Sequence, residues 1–185
     1  MKVSVVLLLF CLSSVHLQRA DDRLVVGDEQ DEQIELNQNQ IEELKKQNED
    51  TAKVAFTYAS GLNGSFGPHS SDVTVVFHKK IMAVGTAFSP VTGVFTAPRK
   101  GVYYFRFNVV GHSSSHMLAV CLYKNEEKIL DVTEYPRGQY EYAVGGATLM
   151  LKKGDHVYVK LRKQSQIVDN SDNHCIFSGF LLFPM

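Results

Sequence analysis

The sequence lacks the motifs on which common enzyme mechanisms depend. It contains no Gly-x-Ser-x-Gly elbow, no glycine loop that could cradle a phosphate, no His-Glu-x-x-His and no paired carboxylates framed by apolar sequence. The formal net charge is only -1 over 185 residues, so no excess of basic side chains favours nucleic acid or an acidic membrane surface. We therefore expect a protein that is not an enzyme, requires no cofactor and does not bind nucleic acid.

A hydrophobic run long enough to cross a membrane is also missing. The apolar stretch at residues 3–12 is much shorter than the roughly 20 apolar residues that a transmembrane helix needs. It follows a basic start and precedes two small serines, an order typical of a secretory signal peptide. We assign residues 1–20 to this peptide, with cleavage after Ala20, Ser14 or His16, and expect an extracellular protein that does not insert into membranes.

Cysteine is scarce. Cys11 lies in the predicted leader, so only Cys121 and Cys175 remain after cleavage. Two thiols in an oxidising compartment suggest one disulfide bridge, and we predict a Cys121–Cys175 pair. The alternatives are two small buried side chains and a cross-link between subunits, because the sequence does not show whether the two Cα atoms approach closely enough.

The segment at residues 21–50 is polar and rich in Glu, Gln and Asn, which is typical of a solvated helix or of a disordered linker. Ile34, Ile41 and Leu44 keep a heptad spacing, while Asn37 occupies another seam position. The segment is either a short coiled coil or a linker that strengthens an existing oligomer. It contains no Gly-X-Y repeat, which excludes a collagen stalk.

From Ala52 onward, short apolar stretches alternate with turn residues, which indicates an all-β sandwich at residues 51–185. The clearest strand is predicted at Gly101 to Gly111. One face of it carries aromatic and apolar side chains, namely Tyr103, Phe105, Phe107 and Val109. This face is expected to lie in the core.

The last predicted strand, from Cys175 to Phe183, is apolar on both faces. Phe177, Leu181 and Phe183 fall on one face, and Ile176, Phe180 and Leu182 on the other. A sandwich strand that faces water on one side should alternate instead. We infer that a partner subunit covers the second face.

Three separated segments resemble the C1q globular domain family in the same order. The first has aromatic residues and glycine at characteristic spacing, namely Phe88, Phe95, Gly101, Tyr103, Phe105 and Phe107. The others are the turn at residues 153–158 and the closing strand at residues 177–184. The resemblance implies a jelly roll of about ten antiparallel strands that forms trimers. Relatives that trigger the classical complement proteases do so through a collagen stalk, which this chain lacks.

Three polar and aromatic loops are the expected ligand surface. If the strands run antiparallel and both termini lie at the base, the connections Gly111 to His116, Tyr135 to Tyr140 and Gln164 to His174 project from the opposite end. Their candidate ligand-binding residues are Tyr135, Arg137, Tyr140, His112 and His116. Rings and a guanidinium group bind through stacking and hydrogen bonds.

Two further features of the loops concern modification and metal binding. Asp169 and Asp172 are candidate calcium ligands, because calcium prefers several oxygen ligands, and the alternative is an Asx-rich turn. Asn63-Gly-Ser65 is an acceptor sequence for N-glycosylation in a glycine-rich loop.

Two functions fit the resemblance. The first is a secreted recognition protein of innate immunity that binds microbial or altered-cell surfaces through the loops, with trimerisation adding avidity. The second is a secreted signalling ligand, similar to adiponectin or the cerebellins, that binds a receptor ectodomain. Cerebellin-like proteins use cysteines ahead of the domain to link trimers, and no cysteine lies between the leader and Cys121. We favour the first function.

Overall fold

The computed structural model describes residues 30–46 and 53–185. The predicted signal peptide lies outside the described residues. The chain divides between Thr51 and Ala52 into two units. In the first, a helix, α1, spans residues 30–46, where glycine and proline are absent and Glu, Gln, Leu and Lys predominate. The helical alternative is therefore confirmed for this stretch. Its apolar side chains Ile34, Leu36, Ile41 and Leu44 are exposed.

The second unit contains thirteen strands within residues 53–185. In chain order they are β1 (Ala55–Ala59), β2 (Gly64–Phe66), β3 (Val73–Thr74), β4 (Lys79–Val84), β5 (Phe88–Ser89), β6 (Val94–Thr96), β7 (Gly101–Gly111), β8 (Leu118–Lys124), β9 (Glu127–Glu134), β10 (Glu141–Leu151), β11 (His156–Leu161), β12 (Ile167–Asp169) and β13 (Ile176–Pro184). No helix among the described residues is long and apolar enough to cross a membrane.

The strands form two main antiparallel sheets, which confirms the predicted sandwich. Sheet 1 has the order β10-β7-β13-β1-β4. Sheet 2 has the order β5-β6-β11-β8-β9, and β3 pairs with β11 beside this path. β12 and β2 form a separate two-stranded pair. Several neighbours, such as β13 and β1, are far apart in sequence, so the fold depends on long-range pairing.

Aromatic rings from both sheets fill the core. Phe56 of sheet 1 stacks on Phe88 of sheet 2 with ring centroids 4.5 Å apart, and it lies 5.6 Å from Phe95. Phe105 meets Phe95 edge to face at 5.0 Å, and Phe177 meets Phe56 in the same way at 5.3 Å. Such pairs contribute about 0.5–1.5 kcal/mol each beyond the burial of their area. The rings therefore hold the two sheets face to face.

The register of sheet 1 places both ends of the β domain at one pole. Gly101 pairs with Pro184 at the end of the chain, and Leu181 donates its N–H to the Val54 carbonyl oxygen at 3.0 Å. At the opposite pole, Gly111 pairs with Glu141. The loops that follow Gly111 and precede Glu141 therefore lie away from the ends of the domain, as predicted from the sequence.

The outer face of sheet 1 carries exposed apolar side chains around Phe180, beside a polar row in which Arg106 pairs with Ser178 and Ser178 with Thr57. Paired residues of an antiparallel sheet point to the same side, so Thr148, Tyr104, Phe180, Ala55 and Val84 form one row across all of its strands. Neighbouring rows add further exposed apolar side chains, namely Met82, Val144, Met150 and Phe183. We call this surface the outer face of sheet 1. The predicted second apolar face of β13 is confirmed for Phe180, but Phe183 was wrongly assigned to the face of Phe177 and Leu181, because a register shift after Leu181 pairs it with Val102 on the outer face.

Gly179 tests the tightness of the ring packing. A Cβ atom at this position would lie 2.6 Å from Phe105 Cδ1 and 2.7 Å from Phe56 Cε1, which is closer than packed carbon atoms approach. Gly179→Ala is therefore expected to lower the free energy of unfolding by about 1–3 kcal/mol, measured by urea denaturation. Val91→Ala, at an 83% exposed side chain, is the control and should change it by less than about 0.5 kcal/mol. Equal stability of the two variants would contradict this packing of the core.

Candidate functional site

The three predicted loops meet at the pole remote from the ends of the β domain. Leu118, at the start of β8, pairs with Glu134, at the end of β9, so the loops before and after them are adjacent. The third loop joins them through a bridge between Met117 and Ser165 and a hydrogen bond from the Gln166 N–H to the Met117 carbonyl oxygen at 3.0 Å. The candidate site is therefore built from segments that are distant in sequence.

Three of the five predicted ligand-binding residues line one cleft of about 400 Å³. They are His116, Tyr135 and Arg137, and the remaining lining residues are Ser113, Ser114, Ser115, Met117, Pro136 and Gln164. The serines and Gln164 were not predicted as site residues. A run of serines is typical of an ordinary turn, and only the position of the opposite loop makes it part of a site.

The serine side of the cleft is held by local hydrogen bonds. Ser113 Oγ accepts the backbone N–H groups of Ser115 at 3.2 Å and His116 at 3.0 Å, and it lies 3.1 Å from His116 Nδ1. On the other side, Arg137 and Gly138 adopt positive φ angles of 52° and 83°, and Gln139 donates its N–H to the Pro136 carbonyl oxygen at 2.9 Å. Both walls are tight turns, which fixes the shape of the cleft.

The other two predicted residues, His112 and Tyr140, belong to a separate row of rings. Their ring centroids are 4.6 Å apart, and Tyr140 stacks on His174 at 6.3 Å. Tyr142 continues the row, since its hydroxyl group lies 2.9 Å from His174 Nδ1. His174 and Tyr142 were not predicted as site residues. His174 ends the third loop, and Tyr142 lies in β10 after the second loop. Nothing in the sequence indicates that these two positions meet.

Asp169 supports the third loop from within. It is buried, and its Oδ1 accepts the backbone N–H groups of Asn170 at 2.9 Å and His174 at 2.8 Å. Its Oδ2 accepts the Cys175 N–H at 3.2 Å and the hydroxyl hydrogen of Ser60. A carboxylate that receives this many hydrogen bonds does not need a cation to be satisfied.

The hydrogen bonds to Asp169 bear on the predicted calcium site. Both oxygens of Asp169 face N–H or O–H donors, and Asp172 has an exposed side chain whose Oδ2 lies 3.9 Å from His174 Nε2. Within the described residues, no three His, Cys, Asp or Glu side chains are placed to hold a metal ion together. The Asp169–Asp172 pair therefore does not fit a calcium site, and calcium binding stays a prediction without support from this geometry.

The predicted bridge between Cys121 and Cys175 is not formed. Both cysteines are free and buried. Cys121 lies in β8 of sheet 2, where burial and the hydrogen-bonded Asp131 carboxylate raise the pKa of its thiol to about 12. Cys175 precedes β13 of sheet 1, where its Sγ lies 3.4 Å from both Val110 N and Val168 O, and burial raises its pKa to about 12. The alternative of two small buried side chains is the one that the structure shows.

Asn63 lies on the surface. It is exposed in the bend just before β2, and a Cβ atom built at the following Gly64 would meet no heavy atom of the described residues within 4 Å. The acceptor sequence therefore has open space around it, which glycosylation requires. Occupancy of this site stays a prediction.

Solved structures of similar fold define the class of the β domain. The globular domain of zebrafish complement 1qA matches with a TM-score of 0.57 at 24% identity, covering 72% of this chain and all of that domain. Eiger TNF from S. frugiperda matches with a TM-score of 0.58 at 16% identity, covering 72% and 95%. Murine APRIL matches with a TM-score of 0.56 at 13% identity, covering 70% and 99%. The domain is a jelly-roll sandwich of this type.

Sequence similarity identifies the family. The family model of the C1q domain matches residues 55–182. One of the subunits of the human complement C1q subcomponent is 30% identical over 137 residues, covering 72% of this chain and 52% of that protein. The chain thus spans about half the length of this curated relative. The protein belongs to the C1q domain family.

The state of the two thiols can be tested chemically. At pH 8 a thiol with a pKa of about 12 is ionised only to about one part in ten thousand, so Cys121 and Cys175 should resist iodoacetamide in the folded protein. In urea both should react at the rate of ordinary thiols, as followed by mass spectrometry. Rapid labelling of the folded protein, or the absence of free thiols in urea without reductant, would contradict the structure. Cys121→Ser, which leaves Cys175 alone, assigns the signals.

Proposed function

We propose that this protein is a secreted, trimeric recognition module of innate immunity that binds microbial or altered-cell surfaces through the three loops at the pole remote from the ends of its β domain. The proposal rests on membership of the C1q domain family and on one observation, the exposed apolar side chains on the outer face of sheet 1. The predicted leader would direct the chain to secretion, and Asn63 would carry a glycan.

The outer face of sheet 1 supports self-association. Phe180 is 41% exposed and packs against Tyr104 with ring centroids 5.6 Å apart, while Val84 and Met150 remain open to water at the two edge strands. Single exposed apolar side chains are common, but a group of them on one part of a sheet marks an interaction surface. A second and third copy of the same chain would cover it and complete the second apolar face of β13.

Trimerisation would multiply weak contacts. The cleft and the row of rings lie at the pole away from Gly101 and Pro184, so copies associated through sheet 1 would present their loops in the same direction. Linked sites of low affinity gain about 100- to 10,000-fold in apparent affinity when they bind one surface together. This arrangement suits a repetitive target such as a surface polymer.

Signalling through a receptor ectodomain is the second candidate. Its support is the similarity of fold to APRIL and to Eiger TNF, which at 12–16% identity concerns the fold alone. High-affinity binding to one receptor, with no binding to surface polymers, would favour this function.

The assembly can be tested by one substitution on the outer face of sheet 1. Phe180→Asp places a carboxylate in the proposed interface of every copy, where removal from water without a partner is costly. We expect a trimer for the wild-type protein and a folded monomer for the variant, as measured by light scattering after size-exclusion chromatography. The control Val91→Asp adds the same charge outside sheet 1 and should remain trimeric. A monomeric wild type at micromolar concentration would refute the assembly.

Surface binding tests the function. The variant Tyr135→Ala/Tyr140→Ala removes one ring from the cleft and one from the row of rings, and it should lose most of the binding to bacterial surface polymers measured by surface plasmon resonance. Tyr123→Ala, near the end of β8 that points away from the loops, is the matched control and should bind normally. Phe180→Asp should weaken binding about 100-fold or more through lost avidity. Unchanged binding of the double variant would count against the proposal. Binding of the wild-type protein that depends on calcium and not on these rings would also count against it.

A further inference from the structure

The lining of the loop cleft has a positive charge without an internal counter-charge. Of the described residues that line it, Arg137 alone has a permanently charged side chain, and none is Asp or Glu. The side chain of Arg137 is exposed and makes no ion pair within residues 30–46 and 53–185. Three cations of the domain do form ion pairs, namely Lys124, Lys128 and Arg162, the last with Asp131 at 3.2 Å. A free guanidinium group in a cleft is a binding element for an anion.

The remaining lining groups suit a polyhydroxylated ligand. Ser113 Oγ is already engaged by its own turn, and Gln164 Nε2 donates to the His69 carbonyl oxygen at 3.5 Å. The hydroxyl groups of Ser114 and Tyr135 and the side-chain oxygen of Gln164 can exchange hydrogen bonds with a ligand. Tyr135 is 66% exposed, so its ring offers a flat apolar face against which the C–H groups of a sugar can pack.

The volume limits the ligand to a small one. About 400 Å³ lies near the lower end of the range of about 300–1,000 Å³ for small-molecule sites. Both walls are tight turns held by their own hydrogen bonds. One or two sugar units at the end or edge of a polymer fit these limits.

One guanidinium group matches a carboxylate better than a phosphate. The planar fork of arginine donates two parallel hydrogen bonds to a carboxylate, whose charge it balances. A phosphate monoester carries about -1.5 to -2 charges near neutral pH and usually requires more than one cation. No lysine is among the described residues that line the cleft, and His116 is the one other group there that becomes cationic on protonation.

We propose that this cleft binds a sugar unit that carries a carboxylate, of the uronic acid type, with Arg137 binding the carboxylate and Tyr135 packing against the ring. The inference rests on the proposed recognition function, since it assigns a ligand class to the same loops. It adds that the row of rings formed by His112, Tyr140, His174 and Tyr142 is not part of this subsite.

Three matched probes test the ligand class. Methyl glucuronide, methyl glucoside and glucose 6-phosphate share a pyranose ring and differ mainly in their acidic group. Titration of the isotope-labelled full chain, followed by NMR, should show saturable shifts for the glucuronide at Ser114, Tyr135 and Arg137, with a Kd on the order of millimolar as expected for so small a ligand. The neutral glucoside should bind at least about tenfold more weakly. Equal binding of the glucoside, or tighter binding of the phosphate, would overturn the assignment of a carboxylate.

Variants of Arg137 test its role. Arg137→Asn removes the charge while tolerating the positive φ angle, and should weaken glucuronide binding about tenfold or more. Arg137→Lys retains the charge without the planar fork and should give an intermediate loss. The control Lys163→Ala removes an equal charge from an exposed residue next to Gln164 but outside the cleft, and should bind as the wild type does. Equal loss in Lys163→Ala and Arg137→Asn would refute a specific role of Arg137.

Different results would refute the ligand class and the recognition function. If the trimer binds surface polymers through the loops but no acidic sugar shifts the cleft resonances, the ligand class is wrong and the recognition function stands. If neither surface polymers nor acidic sugars bind, the recognition function itself is refuted.

Discussion

The packing of aromatic rings between the two sheets is the constraint on which the rest of the structure depends. Phe56, Phe105 and Phe177 come from sheet 1, and Phe88 and Phe95 come from sheet 2. Their contacts leave no room for a side chain at Gly179. Because sheet 1 cannot shift against sheet 2 without breaking these contacts, the ends of β7, β8 and β9 are fixed in space. The core packing therefore sets the positions of the loops that form the candidate site.

Hydrogen bonds to the buried carboxylate of Asp169 hold the third loop in position. Asp169 connects the residue after β1, Ser60, with the backbone of His174 and Cys175 immediately before β13. Each such charged hydrogen bond contributes about 1.5–3 kcal/mol relative to an unpaired group. The predicted connection from Gln164 to His174 contains β12, which pairs with β2. Asp169, the last residue of β12, holds the residues that follow it through its hydrogen bonds.

Periodicity predicted the long strands well, because each of them has one face in the core. The eleven residues of β7 were predicted with their observed bounds, since alternation over that length leaves a single register. Strands of two or three residues, such as β2, β5 and β12, are too short to alternate and depend on a partner that is remote in sequence. The structure has thirteen strands within residues 53–185, against the about ten that the family resemblance implied.

The site was harder to predict than the fold. Residue types in the loops indicated His116, Tyr135 and Arg137 as ligand-binding residues, and the structure places all three in one cleft. Counting oxygens at Asp169 and Asp172 took no account of the N–H groups that Asp169 already binds. The Cys121–Cys175 bridge was wrong for a related reason, because pairing depends on which sheet each strand joins. Pairing between distant strands decided the positions of the cleft and of the two cysteines, whereas Asp169 is held mainly by residues 170–175 of its own segment.

The shared pole of Val54 and Pro184 has a practical consequence for any attachment of the domain. An affinity tag or a biosensor surface joined after Met185 would attach beside Pro184, at the pole opposite the cleft that Ser113 and Arg137 line. Because entry and exit are adjacent, the domain could also be inserted as a cassette into a loop of another protein without distorting its host. Because its two ends lie at one pole, the domain can be joined to other proteins as a unit.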